Sequence, residues 1–168
     1  MSELVVTLPK EFPLVCAAAT ILCLECFFIE KFVVNPARKS VFNSSFMEQF
    51  KDKGVPVAEM GAPDRGDGRY SQKLEYKDWL KLNNAIRVHQ NFVEGLPMML
   101  AFILLAGLTL PTIAMYVAFI NVVTRLIYTF MYVKYGANSR ALASIGGNLP
   151  LYALGLGAIV QLIRYLAL

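Results

Sequence analysis

Charge is what this chain has least of. Charged residues occupy 17% of its 168 positions, where an average soluble domain carries about a quarter. Cysteine is scarce too, and Cys16, Cys23 and Cys26 all fall in one apolar stretch. An odd count there argues against a disulfide framework; small buried hydrophobes are the plain reading. A metal site would need histidine or carboxylate partners at ligand spacing, and none accompanies them. Asp64 and Asp67 lack the alternating acids and closing glutamate of a calcium loop. The net charge of +4 comes from basic residues spread along the chain, so no nucleic acid is expected as a partner. No internal repeat is visible. Single-residue alternation of apolar and polar residues is absent as well, which removes a strand reading of the apolar runs.

What the chain has is apolar length. Hydrophobic residues make up 57% of it, and crossing a bilayer takes about 20 consecutive apolar residues. Four runs qualify, at roughly 12–34, 79–105, 112–135 and 141–166. The expected fold is an all-α integral membrane protein, a single four-helix domain with a polar loop over about 35–78. The segment ahead of Phe12 sets Glu3 and Glu11 against Lys10, so the first run is expected to be a retained helix rather than a cleaved leader. The loop after it holds Arg38, Lys39, Lys51, Lys53, Arg65, Arg69, Lys73 and Lys77. The third connection adds Lys134 and Arg140, and the second, near Gly107 to Pro111, has no charge. The positive-inside rule then puts loops 35–78 and 134–140 in the cytosol and both termini on the far side. A loop as long as 35–78 is often functional, and Arg69 and Tyr70 are placed to cover a site below it.

The remaining polar residues are not scattered. At 100° per residue, Asn84, Arg87, Asn91 and Glu94 share an arc of roughly 80° on the second helix, and His89 lies off it. On the third helix Asn121, Arg125, Tyr128, Tyr132 and Tyr135 share a similar arc. A charge at the bilayer centre costs about 2.5–3.5 kcal/mol. Arg87 and Arg125 therefore need a partner, a cavity or the interface. One reading is interhelical pairing with Glu94 and Glu25. The other is an anionic, hydrogen-bonding ligand, for which the arginine fork is the natural donor.

The residues Arg87 to Pro97, "RVHQNFVEGLP", resemble the second-helix signature of the membrane-associated proteins in eicosanoid and glutathione metabolism, the MAPEG family. The Arg-x-His-x-Asn-x-x-Glu form is most similar to its microsomal prostaglandin E synthase and glutathione transferase branch. "ARKSVF", Ala37 to Phe42, resembles the basic pair closing the family's first helix. "RLIYTFMY", Arg125 to Tyr132, resembles its third-helix column. The resemblance covers most of the chain.

It implies a left-handed bundle assembling as a homotrimer in the endoplasmic reticulum or another intracellular membrane, with glutathione bound between subunits near the cytosolic face. It implies that Arg38, Arg87, Asn91, Glu94, Arg125, Tyr128 and Tyr132 contact glutathione, and that Arg140 stabilises its thiolate. Three departures stand out: Gly95 replaces a common aromatic residue, Lys39 replaces an arginine, and Arg140 follows Tyr132 at a slightly altered spacing. The implied activity is a microsomal glutathione transferase-like one, a glutathione-dependent transferase, peroxidase or isomerase reaction on a lipophilic electrophile or lipid peroxide drawn from the bilayer. Two alternatives share the fold: a non-catalytic lipid-binding scaffold, and an accessory subunit of a larger membrane complex. Gly146, Gly147, Gly155 and Gly157 suit close helix packing, and Pro150 is expected to bend the fourth helix or delay its start.

Overall fold

The computed structural model describes residues 7–51 and 64–167. Helix α1 spans Phe12–Ile29 and runs through a π-helical turn, Glu30–Val34, into α2, Asn35–Val41. The first helix thus continues past position 34, where the apolar run ends. Pro36 lies inside this continuous helix, where its missing N–H removes one bond of the helical ladder. The wider π turn lies just ahead of it, a common adjustment where the helical ladder is disturbed.

The polar loop is more structured than its composition implies. It carries α3, Ser44–Glu48, and a 3-10 turn, Ser71–Lys73. Asn43 caps α3 by accepting from the Phe46 amide at 3.0 Å. Phe42, Phe46 and Phe50 recur every fourth residue and stack in series. Together with Val41, Met47, Tyr70 and Leu82 they form a small apolar cluster outside the main core.

Helix α4, Tyr76–Thr109, has 34 residues, about 51 Å of helix against a hydrocarbon core of about 30 Å. Leu110 alone separates it from α5, Pro111–Tyr135. Gly136 ends α5 at φ +85°, a conformation glycine adopts without strain. A 3-10 turn, Ala137–Arg140, leads into α6, Ala141–Leu166. Pro150 therefore sits inside the fourth spanning helix and does not delay its start.

These helices supply four spans long and apolar enough to cross a membrane. They pack as a bundle in which α4 and α5 each touch both neighbours and one another. Val15, Ala18 and Leu22 of α1 meet Phe92, Met99 and Ile103 of α4, Ala114 and Ala118 of α5, and Leu151 and Leu154 of α6 in one core. Gly107 lets α1 approach α4, since a Cβ there would sit 2.9 Å from Val15 Cγ1. Gly155 receives the Phe102 ring in the same way, at 2.7 Å. Phe27, Phe32, Tyr116, Phe130, Leu142 and Ile163 face outward. An apolar exterior of that extent belongs in lipid or against another subunit. The chain is an all-α, four-helix integral membrane protein.

Candidate functional site

The two polar columns meet inside the bundle. Asn91 of α4 donates its amide to the Tyr128 hydroxyl of α5 at 2.8 Å. Tyr128 and Tyr132 are both buried, with ring centroids 5.7 Å apart. One turn deeper, the Arg125 guanidinium lies 4.9 Å over the Phe92 ring and 5.8 Å from the Tyr128 ring. Its Nη2 approaches Met99 Sδ at 3.5 Å. Among the described residues no carboxylate comes within 4.0 Å of it. Glu25 of α1 is the one buried acid among the described residues, and it forms no ion pair there.

Gly95 explains how Arg125 fits there. A Cβ at that position would stand 3.2 Å from Arg125 Nη2 and 3.6 Å from Met99 Cε. The missing side chain, which reads in the sequence as a lost contact, is the space the guanidinium uses.

Arg87 and Glu94 share the face of Asn91 but project from the bundle and are exposed. Their depth is fixed by the turn at Leu110, which must lie at a bilayer boundary because both its helices end there. Glu94 is about 22 Å up the helix from that end and Arg87 about 33 Å. Arg87 thus sits near the opposite boundary and Glu94 within the apolar depth, where an exposed carboxylate needs a partner.

Arg38 is elsewhere engaged. Its Nη1 donates to Glu30 Oε1 at 2.8 Å, and His89 Nδ1 stands 3.4 Å from Glu30 Oε2. This trio ties the end of the first span to α4. Lys81 Nζ reinforces it by donating to Ser40 Oγ at 2.9 Å. Lys39 is exposed. Arg140 closes the 3-10 turn before α6; its side chain lies outside the described residues. The structure thus brings Asn91, Arg125, Tyr128 and Tyr132 together, leaves Arg87 and Glu94 on the outer face of the same helix, and gives Arg38 an internal acid.

Asn121, the first member of the α5 column, is fully buried and structural. Its amide donates to the carbonyls of Val117 at 3.0 Å and Gly147 at 3.2 Å, joining α5 to α6. A shallow cleft beside it is lined by Thr124, Arg125, Tyr128, Ser144, Gly147 and Asn148. Its cavity volume is about 10 Å³, the room of roughly one water. This cleft is too small to hold a tripeptide.

Arg69 and Tyr70 cover an apolar cluster and not the Arg125 region. Tyr70 packs edge-on to Phe50 at 4.7 Å, and Arg69 lies 4.8 Å over the Tyr70 ring. Asp64 holds this cap. It accepts from the amides of Gly66, Tyr70 and Ser71 and from the Ser71 hydroxyl. Partial burial works against its charge, but these hydrogen bonds outweigh it and keep its pKa below the ordinary aspartate value.

The sequence profile of the MAPEG family matches residues 15–160, reaching into all four spans. The chain belongs to the MAPEG family. No curated protein matches it significantly. MAPEG membership goes with glutathione-related transferase, isomerase or related activity. The donor chemistry here suits such a ligand, since glutathione offers two carboxylates and a thiol to a guanidinium, an amide and two phenols. Sequence reasoning gave Glu25 little weight in this MAPEG chain, though a carboxylate inside an apolar run is by itself a functional signal. The Glu30–His89 contact had no sequence signal, because nothing in the spacing sets the first span's end beside that turn of α4.

Proposed function

We propose that this protein is a glutathione-dependent membrane enzyme, acting as a transferase, peroxidase or isomerase on a lipophilic electrophile or lipid peroxide, with its site between neighbouring subunits of a homotrimer. The observation that carries this reading is the exposure of Arg87 and Glu94, within or at the edge of the apolar depth, on the same α4 column that holds Asn91 against Tyr128. An intramembrane charge needs a partner, a cavity or the interface, and a neighbouring subunit with a polar ligand would supply the partner. Glutathione, when bound, supplies a thiolate as nucleophile or reductant.

The chain's own residues would do the rest. Arg87 offers a fork to a carboxylate at the membrane boundary. Glu94 accepts from the ligand's amine or amide groups. Asn91 and Tyr128 present the remaining polar atoms of their mutual hydrogen bond. Arg125 contributes positive potential from a desolvated position, where it acts more strongly than in water. Arg140, at the start of α6, is our candidate for the group that stabilises the thiolate. The outward apolar surfaces of α1 and α6 supply walls for the second substrate.

The test is glutathione binding to the detergent-purified protein, with thiolate absorbance recorded in the wild type and in Arg140→Ala. Binding with a thiolate signal that the variant loses supports the reading. A stable protein that binds no glutathione overturns it. The internal pairing of Arg38 with Glu30 favours the second reading, a non-catalytic scaffold or accessory subunit, and the same assay separates the two.

A further inference from the structure

The polar cleft between α5 and α6 shares Arg125 and Tyr128 with the proposed glutathione site, but Thr124, Ser144 and Asn148, which also line it, have no part in that reading. Thr124 and Tyr128 stand about 21 and 27 Å along α5 from the turn at Leu110. The cleft therefore lies within an apolar core about 30 Å thick. Thr124, Arg125, Ser144 and Asn148 are half-buried, so the cleft reaches the surface of the bundle. Val123 and Ile127 of α5 and Ile145 and Leu149 of α6, from the same turns, are exposed. A molecule entering here from lipid has an apolar body and a small polar end.

The hydrogen bonds made in the cleft leave both donors and acceptors open. Thr124 Oγ1 donates to the Asn121 carbonyl at 3.1 Å, so toward the cleft it can only accept. Asn148 Nδ2 donates one N–H to Ser144 Oγ at 3.1 Å and keeps a second. Among the described residues the Ser144 hydroxyl accepts that bond and has no acceptor for its own proton. Gly147 keeps the Thr124 hydroxyl reachable, since a Cβ there would stand 2.5 Å from Oγ1. The volume of about 10 Å³ admits roughly one oxygen-sized group. That group must accept from Ser144 and Asn148 and donate to Thr124. An epoxide or carbonyl oxygen accepts but cannot donate. An alcohol does both, yet offers a thiolate no weak bond to break. The terminal O–H of a hydroperoxide does both and carries a weak O–O bond.

We propose that this cleft binds the terminal oxygen of a lipid hydroperoxide, and that Thr124, Ser144 and Asn148 select peroxides among the lipophilic substrates. The inference rests on the reading that a glutathione thiolate forms at this site, where Ser144 follows Arg140 by four positions. The step balances. An S–O bond forms to the terminal oxygen as the O–O bond breaks, and the electron pair leaves on the alkoxide. The alkoxide takes up a proton equal to the one the thiol lost and departs as an alcohol. A second glutathione thiol closes a disulfide at that sulfur and releases the oxygen as water. The peroxide is reduced and two thiols are oxidised.

The experiment titrates the full-length protein in detergent, without glutathione, with cumene hydroperoxide and with cumene, which has the same apolar body and no oxygen. The wild type is expected to bind the hydroperoxide more tightly. Ser144→Ala and Asn148→Ala should each weaken that binding by about five- to tenfold with cumene affinity unmoved, and Ser144→Thr should retain most of it. With glutathione present, the ratio of kcat/KM for cumene hydroperoxide to that for benzyl chloride should fall by a similar factor in Ser144→Ala. Equal affinity of the wild type for the two probes overturns the proposal. So does an unmoved hydroperoxide affinity in both alanine variants, an equal loss for both probes, or an unmoved kcat/KM ratio. Each of these leaves the glutathione reading to its own titration. A wild type that binds no glutathione overturns both.

Discussion

Replacing Gly95 with alanine separates stability from ligand affinity at one position. The new Cβ would lie 3.2 Å from Arg125 Nη2 and 3.6 Å from Met99 Cε. The second distance is ordinary contact. The first is tight, so the guanidinium must withdraw by a few tenths of an ångström. It is the far end of a flexible side chain, and the move costs the fold little. Alanine in place of glycine inside a helix gains up to about 1 kcal/mol. The variant should therefore unfold at the same temperature or slightly higher. Arg125 meanwhile keeps its place over the Phe92 ring but is shifted from the pose in which it meets an anion. Glutathione affinity should fall by roughly two- to fivefold, and by more in Gly95→Leu, whose side chain would fill the space outright. Thermal unfolding in detergent and glutathione titration on the same preparation give both numbers. Unchanged or tighter binding in a well-folded Gly95→Leu would refute the claim that this gap exists for Arg125.

Gly155→Ala would set a Cβ 2.7 Å from Phe102 Cδ2 and 2.8 Å from Cγ; overpacking of this kind costs about 1–3 kcal/mol, seen as a lower unfolding temperature that Phe102→Leu should rescue. Asn121→Leu removes the amide bridging Val117 and Gly147 and leaves the Gly147 carbonyl without that donor, for a loss of about 1–3 kcal/mol in the same assay. Asp64, with its pKa depressed, stabilises the Tyr70 cap fully above the unfolded aspartate value of about 3.9 and loses that contribution as pH falls through the folded value. Limited proteolysis or amide exchange should show residues 64–74 loosening in Asp64→Ala at neutral pH, and in the wild type only below about pH 4, with the spans unaffected in the variant.

The four spans were legible because lipid demands long apolar runs, and the polar columns because helical periodicity puts positions three and four apart on one face. Asn91 and Tyr128 are the clearest case: each sits in its own column, and the two columns join through their hydrogen bond. What periodicity cannot give is rotation of one helix against another. Asn121 shares the α5 column with Arg125 yet turns to the Gly147 carbonyl of α6, so a single stripe serves packing at one end and the site at the other. Arg38 reads as a site residue because its companion Glu30 lies eight positions back, beyond the usual helical pairing. The π turn between them shifts the faces that simple counting assigns. Helix α3 had a usable signal, an Asn43 cap followed by phenylalanines at every fourth position, which the surrounding glycines and prolines of the loop obscured.

The central claim is that an arginine set among aromatic rings inside this bundle, with no acid in contact among the described residues, is kept for a glutathione anion. Titrating glutathione into the wild type and into Arg125→Met, both purified as stable assemblies, tests it most directly. The account predicts binding by the wild type and a loss of at least tenfold in the variant, whose unfolding temperature should not fall. Equal affinity in the two proteins would contradict it.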